Sequence, residues 1–274
     1  MSLLEAIVLG IIQGLTEFLP ISSTAHLRFV PALFGWEDPG AAFTAITQVG
    51  TIAAVLIYFR HDLARITIAW VRCLGRPARS LPFDARLGWF IVIGTIPLVI
   101  LGAAFAGDVE TGGRSLSLLA WMMIALGILL LVAEWTASHV RPLRSLRLPD
   151  AIVIGLAQAA ALVPGVSRSG ITLTAGLFVG LQREAAARYS FLLSVPAVLA
   201  AGIYEFYAEI VGETAIGISL GPAIVATILA FVTGYATIAG LLAFLRRHST
   251  LPFVVYRLVV GALILVLLQA DAIS

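Results

Sequence analysis

Four uncharged stretches constrain this chain more than any other feature. Residues 41–59, 87–107, 115–133 and 214–245 carry no Asp, Glu, Lys, Arg or His. Each exceeds the ~18 apolar residues that mark a membrane-crossing helix. Only 12% of residues are charged, against about 25% in soluble domains. The chain is therefore read as an integral membrane protein. No basic residue precedes Arg28 and Glu5 is acidic, so the N-terminus lacks the basic region of a signal peptide. The single Cys73 excludes an intramolecular disulfide and a thiolate metal cluster. The 17 basic residues, all Arg, are scattered over short loops, which argues against nucleic acid as a partner.

Two polar breaks interrupt this apolar pattern. Residues 3–18 form a short apolar helix that must stop at Pro20, because the residue before a proline is biased away from αR. A second short helix follows at about 25–34. The other break is at Pro164-Gly165, inside a stretch that starts at Asp150, an expected N-cap by residue type, runs to about Val163 and resumes to about Leu181. Non-helical backbone at membrane depth is tolerated only when it is buried in protein or lines a wet cavity. Both stretches therefore read as re-entrant hairpins.

Further spans are expected at 41–59, 87–107, 115–137, about 186–207, within 219–245 and about 252–270. The Arg-rich loops 60–86, 138–149 and 246–248 then all fall on the cytoplasmic side, as the positive-inside rule requires. The more acidic loops 35–40, 108–114 and 208–218 fall outside, with both termini. The hairpins enter from opposite faces, which makes an inverted repeat. Gly10-Ile-Ile-Gln13 before Pro20-Ile-Ser22 resembles Gly155-Leu-Ala-Gln158 before Pro164-Gly-Val-Ser167. The segment Gln48–Tyr58 resembles Ser194–Tyr204. The expected fold class is an all-α polytopic membrane protein, an inverted-topology repeat with six transmembrane helices and two re-entrant helical hairpins. It is one membrane domain over 1–274, with repeat one at about 1–138 and repeat two at about 150–274. Such repeats place a site near the midplane where the broken helices meet.

The second break, Ser167-Arg168-Ser169-Gly170-Ile171-Thr172, is a coherent phosphate site. A helix N-terminus offers free N–H groups, and arginine matches phosphate oxygens bidentately. Ser167, Ser169 and Thr172 add hydroxyls. Arg168 lies too far past the helix start to snorkel to an interface. In the first break Glu17 is the carboxylate, able to hold a divalent cation or to act as a base, with Gln13 one turn earlier on the same face. Ser23 and His26 are spaced to share a helix face, the minimal arrangement for an activated nucleophile. His26 could instead act as general acid. Ser22, Ser23 and Thr24 could serve only as helix caps. Arg28 reads as a headgroup contact, and Glu134 and Arg257 as snorkelling or paired residues near span ends. Gly10-x-x-x-Gly14 and Gly176-x-x-x-Gly180 fit close helix packing. His61, His139 and His248 read as interface residues.

Taken together, Gln13-x-x-x-Glu17, Pro20-x-Ser-Ser-Thr-x-His26, Pro164-Gly-x-Ser-Arg-Ser-x-x-Thr172 and Leu251-Pro252-Phe253…Tyr256-Arg257 are similar to the signature of the undecaprenyl-diphosphatase family of the bacitracin-resistance type. The resemblance covers nearly the whole chain. It implies a hydrolase that cleaves undecaprenyl diphosphate to the monophosphate and inorganic phosphate, recycling the carrier lipid for peptidoglycan. It implies the bacterial cytoplasmic (inner) membrane, a site open to the outer face, a polyprenyl diphosphate lipid substrate, the lipid bilayer as surroundings, and a divalent cation, Mg²⁺ or Ca²⁺. A homodimer is left open. The implied site has Glu17, Ser23, His26 and Arg168 as catalytic residues. Ser22, Thr24, Ser167, Ser169 and Thr172 would bind phosphate, and Glu17 and Gln13 the metal. Gln13 departs from an acidic alternative at its position and cannot be an anionic ligand or base. The other reading left open is a transporter or flippase of polyprenyl phosphate without hydrolysis.

Overall fold

The computed structural model describes residues 1–104, 115–211 and 220–273, the side chains of residue 41 and of 201–211 excepted. The regular elements among them are α-helices: α1 (Leu3–Phe18), α2 (Ser23–Phe34), α3 (Gly40–Tyr58), α4 (Arg60–Arg72), α5 (Phe83–Ala104), α6 (Leu116–Thr136), α7 (Leu148–Ala159), α8 (Arg168–Phe178), α9 (Arg183–Val211), α10 (Leu220–Leu245) and α11 (Leu251–Gln269). Short 3₁₀ turns lie at Ala78–Ser80, Leu143–Ser145 and Ala160–Leu162.

Four of these helices, α5, α6, α10 and α11, are long and apolar enough to cross a membrane, and α3 with α4, bent by 72°, would make a fifth span. The protein is thus an all-helical, multi-pass membrane protein. The expected spans 87–107, 115–137, 219–245 and 252–270 fall on the four helices, and 41–59 falls on α3. The expected span 186–207 falls within α9, whose side chains from residue 201 on are outside the described set. The expected loop 108–114, with Asp108, Glu110 and Arg114, lies outside the described residues, as does the loop 208–218 from residue 212, with Glu213.

Three expectations need correction. The segment 60–86 is not all loop. Its first part is the amphipathic helix α4, which buries Ile66 while Arg60, Arg65 and Arg72 stay at the surface. Asp150 is not the N-cap of α7. It sits in the first turn, and its carboxylate accepts from the Arg147 N–H at 2.9 Å. Gly180 is not a helix-packing residue. It has φ +84 and turns the chain after α8, donating to the Leu177 carbonyl. Gly176 does pack closely, since a Cβ there would lie 2.7 Å from the Ala186 methyl.

Helices pack here by apposition of small residues, as membrane helices do when there is no water to drive them together. On α1, a Cβ at Gly10 would sit 2.5 Å from the Ala226 carbonyl oxygen of α10. On α7, a Cβ at Gly155 would sit 2.5 Å from the Gly94 carbonyl oxygen of α5. The first halves of the two broken stretches are therefore held in the same way by different long helices. Phe18, at the end of α1, packs edge to face on Phe191 with centroids 5.5 Å apart, and Phe59 tilts against the same ring at 6.2 Å.

The Arg-rich segments gather at one end of the bundle. Arg188 pairs with Asp62, and Arg65 bridges Asp62 and Asp84, each at 2.9 Å. Arg141 holds Asp150, and Arg183 chelates Glu134, which also accepts from the Thr250 hydroxyl at 2.8 Å. Glu134 is therefore paired, as the sequence suggests. Gly155→Ala should cost about 1–3 kcal/mol by overpacking against backbone. Gly240→Ala, also in a helix but with nothing within 4 Å of the added methyl, should leave stability unchanged or raise it. Thermal unfolding of the detergent-solubilised variants measures both.

Candidate active site

Both breaks end in the same local device. Ser22 has φ 74, ψ 99 and Ser167 has φ 67, ψ 106. A non-glycine residue at positive φ costs of order 1–3 kcal/mol and persists only where its surroundings over-determine it. Each serine is the N-cap of the helix that follows. The Ser22 hydroxyl accepts from the Ala25 N–H, and the Ser167 hydroxyl from the Gly170 N–H. These caps launch α2 and α8 at a sharp angle from the chain before them. Ser23 and Arg168, each the first residue of its helix, are thereby aimed back at the end of α1.

They meet at Glu17. Its Oε1 accepts from Arg168 Nη2 at 2.6 Å, and its Oε2 accepts from the Ser23 hydroxyl at 2.8 Å. Gln13, fully buried one turn earlier, donates its amide N–H to the same Oε2 at 3.2 Å. The Glu17 and Arg168 side chains are only 11% and 18% exposed. A small open cleft adjoins the pair, lined also by Phe18, Thr51, Ile52, Val55, Ser194 and Val198. Thr51 and Ser194 went unread as site residues, although the repeated segments Gln48–Tyr58 and Ser194–Tyr204 contain them.

The hydroxyls of the second break divide by role. Ser167 caps α8 and lies 3.2 Å from the Ser169 hydroxyl. Ser169 donates to the Leu19 carbonyl at 3.0 Å and so ties the two breaks together. Thr172 is buried, donates to the Arg168 carbonyl at 2.7 Å and touches the Ser190 hydroxyl of α9. It supports α8 from behind and does not line the pocket. The N–H groups of Arg168 and Ser169, in the first turn of α8, are of the kind that a helix leaves open to an anion. In the first break, Ser22 is buried as the cap and Thr24 is half-buried beside it on α2.

The structure does not pair Ser23 with His26. The His26 Nδ1 lies 2.6 Å from the Ser22 carbonyl oxygen and its Nε2 lies 2.7 Å from the Tyr256 hydroxyl. A carbonyl can only accept, so Nδ1 carries a hydrogen, and the neutral ring accepts at Nε2 from Tyr256. The spacing argument failed because the ring turns back over its own N-cap. Arg257 is not a snorkelling residue. It is 1% exposed and donates to the carbonyls of Met123, Met122 and Pro20 at 3.0, 3.1 and 3.0 Å. Arg28 pairs with Asp38 at 3.6 Å.

A family model described as "Bacitracin resistance protein BacA" matches residues 6–263. The chain belongs to the BacA family. Among its relatives is the "Undecaprenyl-diphosphatase" of Myxococcus xanthus, 54% identical over all of this chain and 92% of the relative. That of Prosthecochloris aestuarii is 52% identical over the full length of both. "Undecaprenyl-diphosphatase 2" of Frankia casuarinae is 50% identical over all of this chain and 97% of its own. BacA membership thus covers both breaks and the pair that joins them.

Within this BacA fold the Glu17–Arg168 pair is also structural. Removing one partner of a buried pair strands the other and costs about 3–5 kcal/mol. Glu17→Ala should therefore destabilise strongly. Glu17→Ala combined with Arg168→Met should recover most of that loss, because no buried charge remains. Thermal unfolding of the two variants measures the difference.

Proposed function

We propose that this protein is an integral membrane phosphatase that hydrolyses undecaprenyl diphosphate to undecaprenyl phosphate and inorganic phosphate. The observation that carries the catalytic reading is the chain Ser23–Glu17–Arg168, which joins a hydroxyl, a carboxylate and a guanidinium across the two breaks. Transport without hydrolysis finds no support among the relatives, and it leaves the Ser23–Glu17 hydrogen bond without a use.

In this reading the diphosphate enters the pocket while its prenyl tail stays in the bilayer. Arg168, the Ser167 hydroxyl and the first N–H groups of α8 bind phosphate oxygens. Glu17 accepts the Ser23 proton as the hydroxyl oxygen attacks the terminal phosphorus. The bond to the bridging oxygen breaks, and undecaprenyl phosphate leaves. Water then cleaves the serine phosphate to free inorganic phosphate. Such transfers rest mainly on positioning and electrostatics. The base role thus belongs to Glu17 rather than His26.

A divalent cation suits the donors present. Among the described residues no group of three or more His, Cys, Asp or Glu could hold a metal. Mg²⁺, however, is often bound by one or two carboxylates together with substrate phosphates. Glu17 is one such carboxylate. The Gln13 Oε1 is a buried acceptor without a hydrogen-bond partner, a neutral oxygen one turn away. The ion would neutralise charge on the phosphate oxygens.

The inverted repeat with six spans belongs to the same proposal. Ser22 and Ser167 share their dihedrals, Gly10 and Gly155 share their close packing, and Gln13 and Gln158 each leave a buried Oε1 unpaired. The gathered arginines favour a cytoplasmic position for their end of the bundle. That leaves the site open to the outer face of the inner membrane, with both termini outside.

Phosphate release from undecaprenyl diphosphate in detergent tests the function. Wild-type protein should turn over, and a chelator should abolish activity until Mg²⁺ or Ca²⁺ is restored. Ser23→Ala and Arg168→Lys should each lower kcat by about 10²–10⁴-fold. Lysine keeps the charge but loses the planar fork. Near-wild-type rates in folded variants would refute the assignments.

A further inference from the structure

The four-residue linker between α1 and α2 has few backbone donors to its carbonyls, the Ile21 N–H on Leu19 at 2.8 Å and a long bond from the His26 N–H on Ser22 at 3.4 Å, so side-chain donors supplement them. An unsatisfied carbonyl at membrane depth costs several kcal/mol. The Leu19 carbonyl accepts from the Ser169 hydroxyl of α8. Two of the remaining donors are controlled by adjacent residues of a different helix, α11. Arg257 donates to the Pro20 carbonyl, with its other two nitrogens anchored on carbonyls of α6. Tyr256 engages His26, stacked on it at 5.5 Å and 14°, and His26 in turn donates to the Ser22 carbonyl. Ser22 is the strained residue directly before Ser23.

Among the described residues, no side chain of α6, the helix against the second break, donates to its linker carbonyls. A Cβ at Gly165 would lie 2.9 Å from the Met122 side chain and 3.1 Å from the Leu119 backbone. The two breaks share their strain, yet among the described residues only the linker before Ser23 has carbonyls held by the polar pair of α11, although Arg257 Nη1 also comes close to Gly170 of α8. Mechanical support alone would call for similar treatment of both. Aim of a reacting group calls for support at one.

We propose that Tyr256 and Arg257 form a positioning clamp for the nucleophile. Arg257 holds the Pro20 carbonyl directly. Tyr256 acts through His26, whose ring it keeps turned onto the Ser22 carbonyl with Nδ1 as donor. The clamp stabilises the positive φ of Ser22 and so keeps the Ser23 hydroxyl on Glu17. Neither residue touches the reacting atoms, and His26 is a link in the clamp rather than the base. The inference rests on the hydrolase reading above.

The test compares kcat and KM for phosphate release from undecaprenyl diphosphate, with thermal unfolding of each variant alongside. Tyr256→Phe removes one hydroxyl at a half-exposed position. It should lower kcat by about tenfold, with KM within twofold and the melting temperature unchanged. In a His26→Ala background the same change should have no further effect, since the clamp acts through that ring. Arg257→Lys keeps the charge and cannot serve three carbonyls, so kcat should fall again with KM retained. Wild-type kcat in Tyr256→Phe, or additive losses in the double variant, would overturn the clamp. A wild-type protein that released no phosphate would instead overturn the hydrolase reading.

Discussion

The Glu17–Arg168 ion pair is the contact on which the rest of this structure depends. Ionised groups at membrane depth are costly wherever they lack a partner. Neither short helix could bury its own charge, and 151 residues separate the two in the chain. Burial becomes tolerable only when the end of α1 and the start of α8 come together. The pair therefore makes the folding of each broken stretch conditional on the other. The same contact brings the Ser23 hydroxyl and the N-terminus of α8 together at Glu17, so the solution to a burial problem also assembles the candidate site.

The breaks impose a second constraint. A chain that leaves helical geometry inside a membrane exposes backbone groups that must be satisfied from within the protein. Much of the polar sequence near the breaks does this work. Ser22 and Ser167 cap helices, Ser169 and Arg257 serve carbonyls of the first break, and Thr172 braces α8. Fewer side chains are free of such structural bonds than the density of hydroxyls suggests. In the proposed reaction, Glu17, Ser23, Arg168, the Ser167 hydroxyl and the open end of α8 are left to act on substrate.

Four of the spans and both breaks were legible in the sequence because hydropathy and proline act locally. Arg168 was legible as a buried charge because it lies deep within an apolar stretch. Its partner was legible only as a candidate, since nothing local specifies a contact across 151 residues. The Ser23–His26 spacing misled because i,i+3 neighbours share a helix face only where side chains point outward. At the first turn of α2 the ring instead folds back on the cap carbonyl. Arg257 looked superficial because it lies six positions past the start of α11. Its depth is set by α6 and the first break, which close over it. Helix α4 was taken for loop because its arginines mask a one-sided apolar pattern.

A charge swap separates the structural from the chemical role of the central pair. Glu17→Arg with Arg168→Glu keeps an ion pair between the breaks but moves the carboxylate away from Ser23. The double variant should be a folded protein in detergent, with a melting temperature close to wild type and no phosphate release from undecaprenyl diphosphate. Turnover near the wild-type rate in that double variant would contradict this, since the pair would then be only a tie between two hairpins.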